Sequence, residues 1–187
     1  MTLILFNKPY GVISQFSQHP SRPSLADFLQ IPNIYPAGRL DADSEGLMLL
    51  TDNGALQQQI RHPDYEKSKT YLVQVEGLAQ ASQLARLREP MKLKEFTTLG
   101  CQAIRIEPPG WLWQREPPVR KRQSVPTDWL AITLTEGKNR QVRQMTAAVG
   151  LPTLRLVRQS IGPISLATHP LLPGEWRDID PADWPRD

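Results

Sequence analysis

Cysteine is almost absent: Cys101 is alone in 187 residues, so no internal disulfide framework is possible. It falls in an expected strand, where a buried apolar role suits it better than that of a nucleophile. Histidine is nearly as scarce, and His19, His62 and His169 are too scattered for the spacing of zinc ligands. No apolar run approaches the ~20 residues of a membrane-spanning helix. The opening MTLILFNKPYG lacks both the basic region and the long apolar stretch of a signal peptide. A soluble, cytoplasmic protein without membrane contact is expected.

What is present is enough for a core. With 40% hydrophobic residues, a chain of this length fits one domain, or one domain of two lobes. The net charge of +3 is modest but uneven. Between residues 111 and 158 there are nine Lys or Arg against three Asp or Glu, so an anionic partner would meet the second half first. A solvated basic surface is the competing explanation of such a run.

Periodicity predicts strands at 3–6, 47–51, 70–75, 101–106 and 129–135. Helices are expected at 55–61, stopped by Pro63, and at 81–88, with Leu84 and Leu87 facing inward. Ser24 with Asp27 resembles a helix cap ahead of Leu25, Phe28 and Leu29. A third helix lies within EGKNRQVRQMTAAVG (136–150), where Val142, Met145, Thr146 and Val149 share a face and Gly150 and Pro152 supply the stop. Several strands separated by irregular helices favour α+β over a doubly wound fold. Arg140 and Arg143 sit near the start of this last helix, where they oppose its dipole and call for an anionic partner.

The stretch GRLDADSEGLMLLTD (38–52) places Asp41, Asp43 and Glu45 at alternate positions, followed by Gly46 and Asp52. An EF-hand calcium loop uses oxygens at this spacing. Leu49 and Leu50 stand against it, as do Pro36 and Gly38, where a flanking helix would be required. A glycosidase pair is the other carboxylate reading, but it needs two acids flanking one bond, which one tight loop does not assure. Residues 108–126 hold five prolines together with Trp111, Trp113, Arg115, Arg120, Lys121 and Arg122. Aromatics among arginines suit stacking on bases and pairing with phosphates, while tryptophans covering the core explain the same pattern.

GRLDADSEGLMLLT, KTYLVQVEG and EGKNRQVRQM, in that order, resemble the ribosomal pseudouridine synthase family, whose signature is a GRLD loop. The likeness runs from NKPYG (7–11) through PGWLWQREPPVRKR (109–122) to GEW (174–176), nearly the whole chain. It implies an α+β fold with a mixed, mainly antiparallel central sheet, flanking helices and a catalytic cleft between two lobes. It also implies an isomerase that converts uridine in RNA to pseudouridine without metal or organic cofactor. Many relatives carry a small RNA-binding domain ahead of the catalytic one. This chain opens directly on the first catalytic strand, so a single catalytic domain over 1–187 is expected; no coiled-coil or obvious association helix appears, so a monomer is expected too.

The resemblance also assigns residues. Asp41 matches the essential aspartate, whose negative charge stabilises or captures a cationic anomeric carbon, or helps remove a sugar proton. Arg143 matches the basic partner that keeps this carboxylate ionised, with Arg140 a candidate for the same role or for phosphate and Gln141 a polar contact. Tyr71 matches the K-x-Y tyrosine, which stacks on the extruded uracil or assists late proton removal from carbon 5. Lys69, two residues earlier, faces the same side as an RNA contact. Arg39 is expected to hold the opened RNA, and Lys8 to support the cleft on the RNA side. Arg120 and Arg122 complete the RNA-binding set. Asp43 and Glu45 are expected to fix the loop. The implied substrate is 23S ribosomal RNA near the peptidyl-transferase region. Alternatives are the same chemistry on 16S rRNA or tRNA, or a non-catalytic rRNA-binding assembly factor.

Overall fold

In a computed structural model, residues 1–65 and 67–185 are described. Nine strands among them form one sheet. They are β1 (Leu3–Lys8), β2 (Tyr35–Pro36), β3 (Glu45–Thr51), β4 (Lys69–Glu76), β5 (Gln102–Ile106), β6 (Thr127–Leu134), β7 (Thr153–Ile161), β8 (Ile164–Ser165) and β9 (Trp176–Ile179). The main path runs β5-β6-β4-β7-β3-β1-β9, with β2 on β3 and β8 on β7. Three α-helices accompany it: α1 (Gly54–Arg61), α2 (Ala81–Arg88) and α3 (Gln141–Ala148).

Every pairing is antiparallel except β3 with β7, which is parallel and holds only Glu45 to Val157 and Gly46 to Arg158 in register. This short seam joins two halves with separate cores. In the half around β1 and β3, both faces are covered: Leu3, Leu5, Leu47 and Leu49 enter one core, and Ile4, Phe6, Met48 and Leu50 the other. Burial on both sides is why residues 47–50 are continuously apolar rather than alternating. In the other half, Tyr71, Val73 and Val75 of β4 and Leu130, Ile132 and Leu134 of β6 pack under Leu87 of α2 and Val142 and Met145 of α3.

Two expectations are corrected. Ser24 and Asp27 do form a reciprocal cap, but it starts only one 3-10 turn, Leu25–Asp27, because the chain turns inward at once to bury Leu25 and Leu29. The strand expected at 101–106 begins at Gln102. Cys101 is half-buried, donates its S–H to the Leu87 carbonyl at 3.0 Å, and burial pushes its thiol up to about 11, an inert state.

Candidate active site

The register of four adjacent strands sets the floor of the site. Tyr71 of β4 pairs with Arg158 of β7, Arg158 with Gly46 of β3, and Gly46 with Lys8 of β1. Paired residues point to the same face, so Tyr71, Arg158 and Lys8 form a row across the seam, with a glycine in its third place. A Cβ on Gly46 would meet the Arg158 carbonyl oxygen at 2.3 Å, and its φ of +108° is in glycine territory. The chain therefore crosses this row only because residue 46 has no side chain. Just ahead of it, residues 38–44 form the loop that carries Asp41.

A cleft of about 770 Å³ opens over this floor. Its lining includes Arg39, Asp41 and Ser44 from the loop, Lys69 and Tyr71 from β4, Glu136 to Gln141 before and at α3, and Arg158 from β7. Arg61 and His62 line it from the end of α1. Arg39, Arg61, Lys138 and Arg140 are exposed. They give the cleft a cationic rim that suits a phosphate backbone.

Asp41 is partly exposed, at 42% of its side chain, and its Oδ2 accepts from Arg140 Nη1 at 3.2 Å. Arg140 also grips Asp43 through both terminal nitrogens, at 3.1 and 2.8 Å. This bond is the chief cause holding the Asp43 carboxyl below its ordinary range. Arg140 sits just before α3 in the left-handed region, φ 53°, a conformation uncommon for a residue with a side chain. The kink directs its guanidinium back across the cleft. Arg143, one turn further on, donates instead to the Asp43 carbonyl at 2.8 Å and lies 3.6 Å from the Asp43 carboxylate. The guanidinium hydrogen-bonded to Asp41 is therefore that of Arg140, where the sequence pointed to Arg143. Three residues of helix place Arg143 beneath the loop rather than beside the carboxylate.

Glu45 is turned to the opposite face. Its carboxylate is 1% exposed and takes a two-pronged bond from Arg155, at 2.9 and 3.0 Å, and a third from the Trp113 indole N–H at 2.9 Å. Both acidic-loop alternatives fail on this geometry. Asp41, Asp43 and Glu45 each bond a guanidinium and Asp52 accepts from the Thr2 N–H, so the loop's acids do not converge on one ion, and Glu45 and Asp41 do not face one bond. Trp113 caps Arg155 with its ring centroid 5.7 Å away, and Trp111 and Trp113 pack on the core. The tryptophans of the 108–126 stretch thus cover the back of the sheet.

That placement also moves Arg120 and Arg122 away from the cleft. Both are exposed, and Arg122 forms an ion pair with Glu76, at the end of β4 remote from Tyr71. Five residues of strand separate the two, roughly 16 Å. Gln141 is buried and ties the start of α3 together, accepting from the Lys138 N–H at 3.1 Å and donating to the Glu136 carboxylate.

Lys8 is fully buried and faces no solvent from which RNA could reach it. Its ammonium donates to the carbonyls of Pro9 and Val12 at 2.8 Å and of Ala42 at 3.4 Å. Burial pushes it down to about 7. It fastens the loop between Asp41 and Asp43 to the end of β1. Lys8→Met should destabilise the fold by about 2–4 kcal/mol through its stranded carbonyls. It should also lower kcat more than it raises KM. Thermal melting and steady-state kinetics check both, and an unchanged kcat would remove Lys8 from loop positioning.

Sequence reasoning missed Arg61, Lys138 and Arg158. Lys138 stands inside the EGKNR motif and was there to be read. Arg61 closes α1, and Arg158 belongs to a strand that periodicity did not reveal.

A sheet crossed by one short parallel seam, with an aspartate loop above it and a basic rim around it, is the architecture of a pseudouridine synthase. A crystal structure described as pseudouridylate synthase superposes with a TM-score of 0.77 at 26% identity, over 97% of this chain and 71% of that one. Residues 2–148 match the family model described as RNA pseudouridylate synthase, and the chain belongs to that family. It is an isomerase, and RNA is what it binds. It is 52% identical over 177 residues to ribosomal large subunit pseudouridine synthase E of Vibrio vulnificus, covering 95% of this chain and 74% of that protein. It is 53% identical over 180 residues to the protein of the same name from Xanthomonas campestris pv. campestris, covering 95% of each.

Proposed function

We propose that the protein converts one uridine of 23S ribosomal RNA, near the peptidyl-transferase region, to pseudouridine, with Asp41 as the catalytic carboxylate. The observation that carries this reading is the placement of Asp41 and Tyr71 in one cationic cleft, with Asp41 held by Arg140. The names of the relatives at 52% and 53% identity support a large-subunit RNA as the substrate.

The target nucleotide leaves its stack and enters the cleft, its base against the ring of Tyr71. The bond between N1 of uracil and C1′ of the ribose breaks, its electron pair leaving with the base. Asp41 either bonds to C1′ or takes the C2′ proton; each route balances the charge that develops on the sugar. The freed uracil turns and C5 bonds to C1′ as the Asp41–C1′ bond breaks or, on the other route, as Asp41 returns its proton to C2′; the C5 proton then departs and N1 gains a proton. Tyr71, 9% exposed beside this position, is suited to the C5 proton. Arg140 and Arg143 hold the loop and its charge, and Arg39 at the rim keeps the opened RNA in place.

Carbodiimide treatment and primer extension across rRNA from cells with and without the gene tests the proposal. One 23S stop should vanish and return with the wild-type protein but not with Asp41→Asn. An intact 23S pattern with a stop lost from 16S rRNA or tRNA would move the substrate, and no lost stop would favour an assembly factor.

A further inference from the structure

The row across the cleft floor contains a charge that no acid of the described residues answers. Arg158 is 3% exposed. Its Nε donates to the Leu47 carbonyl at 2.9 Å, and its Nη2 is buried with no hydrogen-bond partner among the described residues. The acids of the site are committed elsewhere, Glu45 to Arg155 and Asp41 and Asp43 to Arg140. A buried guanidinium is permanently charged, and leaving it without a counter-ion or acceptor is costly.

Its neighbour is a second cation. Lys69 stands two residues before Tyr71 on the same face and lines the same cleft. It spends one N–H on the Lys67 carbonyl at 3.3 Å. Burial first, and then the charge of Arg158, pull its ammonium down to about 8. Two like charges thus share a partly dry space beside the tyrosine, Arg158 next to it in register and Lys69 two residues along its strand.

We propose that Arg158 and Lys69 form an anion subsite that takes a phosphodiester of the bound RNA, the one attached to the nucleotide whose base lies on Tyr71. This rests on the reading above that Tyr71 receives the base. A phosphodiester carries one negative charge spread over two free oxygens, one for each cation, and it is covalently linked to the base by a single sugar. A uracil carbonyl would occupy one donor and leave both charges unanswered. Single-stranded uridylate reaches such a site without the cost of unpairing.

The test uses the full chain with labelled lysine and arginine side chains, followed by NMR, with inorganic phosphate as the first probe and a short oligouridylate as the second. Both should shift the Lys69 and Arg158 signals saturably, and oligouridylate should displace phosphate. Arg158→Met, close in volume, should weaken phosphate binding at least about tenfold. It should also lower the salt slope of oligouridylate binding by roughly 0.7, one phosphate contact on a single strand. Lys69→Met, at a partly exposed position, should do the same. No shift with phosphate, or a shift with phosphate that oligouridylate neither reproduces nor displaces, would overturn the assignment. So would a folded Lys69→Met protein with unchanged affinity and slope. The rRNA mapping fails or succeeds separately from this titration, so the subsite and the substrate are judged apart.

Discussion

Asp41→Asn should lower turnover of an rRNA fragment by more than roughly 10³-fold, as loss of a group that bonds to or deprotonates the sugar would do. RNA affinity should hold or rise. The substitution removes one negative charge from a cleft that otherwise offers cations to the backbone, and it leaves Arg140, still bonded to Asp43, with one fewer carboxylate against it. Because Asp41 is 42% exposed on its side chain and belongs to no core cluster, melting should change little. Single-turnover kinetics beside equilibrium binding separates the two effects. Turnover near wild type would transfer the role to another group.

Glu45→Gln should produce the largest loss of stability and is the reverse case. Glu45 and Arg155 are 1% and 6% exposed at their side chains and meet through two parallel bonds at the parallel seam. Gln keeps the shape but leaves Arg155 buried and charged between Trp113 and Trp129. Breaking one side of such a pair costs about 3–5 kcal/mol. At roughly 2–4 °C per kcal/mol for a chain of this size, Tm should fall by roughly 6–20 °C. Turnover measured well below the new Tm should largely persist. The double replacement Glu45→Leu with Arg155→Met should recover much of the loss, since no lone charge then remains. An unchanged Tm with turnover lost would instead give Glu45 a part in the reaction.

These two acids, four residues apart across the junction of the loop and β3, show what could be read from the chain alone. Their spacing was visible, and so was the catalytic assignment that the GRLD motif suggests for Asp41. Their opposite orientation was not. Glu45 pairs in register with Val157, Gly46 with Arg158, and alternate faces follow from that pairing rather than from local pattern. Likewise, residues 81–88 were legible as a helix and 70–75 as a strand, because each shows a clean period. β7 was not legible. Register shifts opposite Thr70/Tyr71 and Gln74/Val75 insert Gln159 and Leu154 on either side of the regular stretch 155–158, so the two-residue alternation does not run the length of the strand.

The same limit explains the misplaced cations. Arg120 and Arg122 form the densest basic run in the chain, yet Glu76 holds Arg122 at the far end of β4. Lys8 sits in a motif and is wholly buried, while Arg158, which no motif singled out, reaches the cleft floor.

By itself the sequence determined the strand-rich α+β class, the strands at 3–6 and 47–51, the loop that carries Asp41 and the helix that follows Arg140 and carries Arg143. Local period, turn chemistry and motif order are properties of neighbouring residues and survive without a fold. Only the tertiary structure decided which arginine meets Asp41, which acid belongs to the core, and which cations share the cleft. Those outcomes depend on contacts between residues about a hundred positions apart, set by one short parallel seam whose register no local pattern encodes.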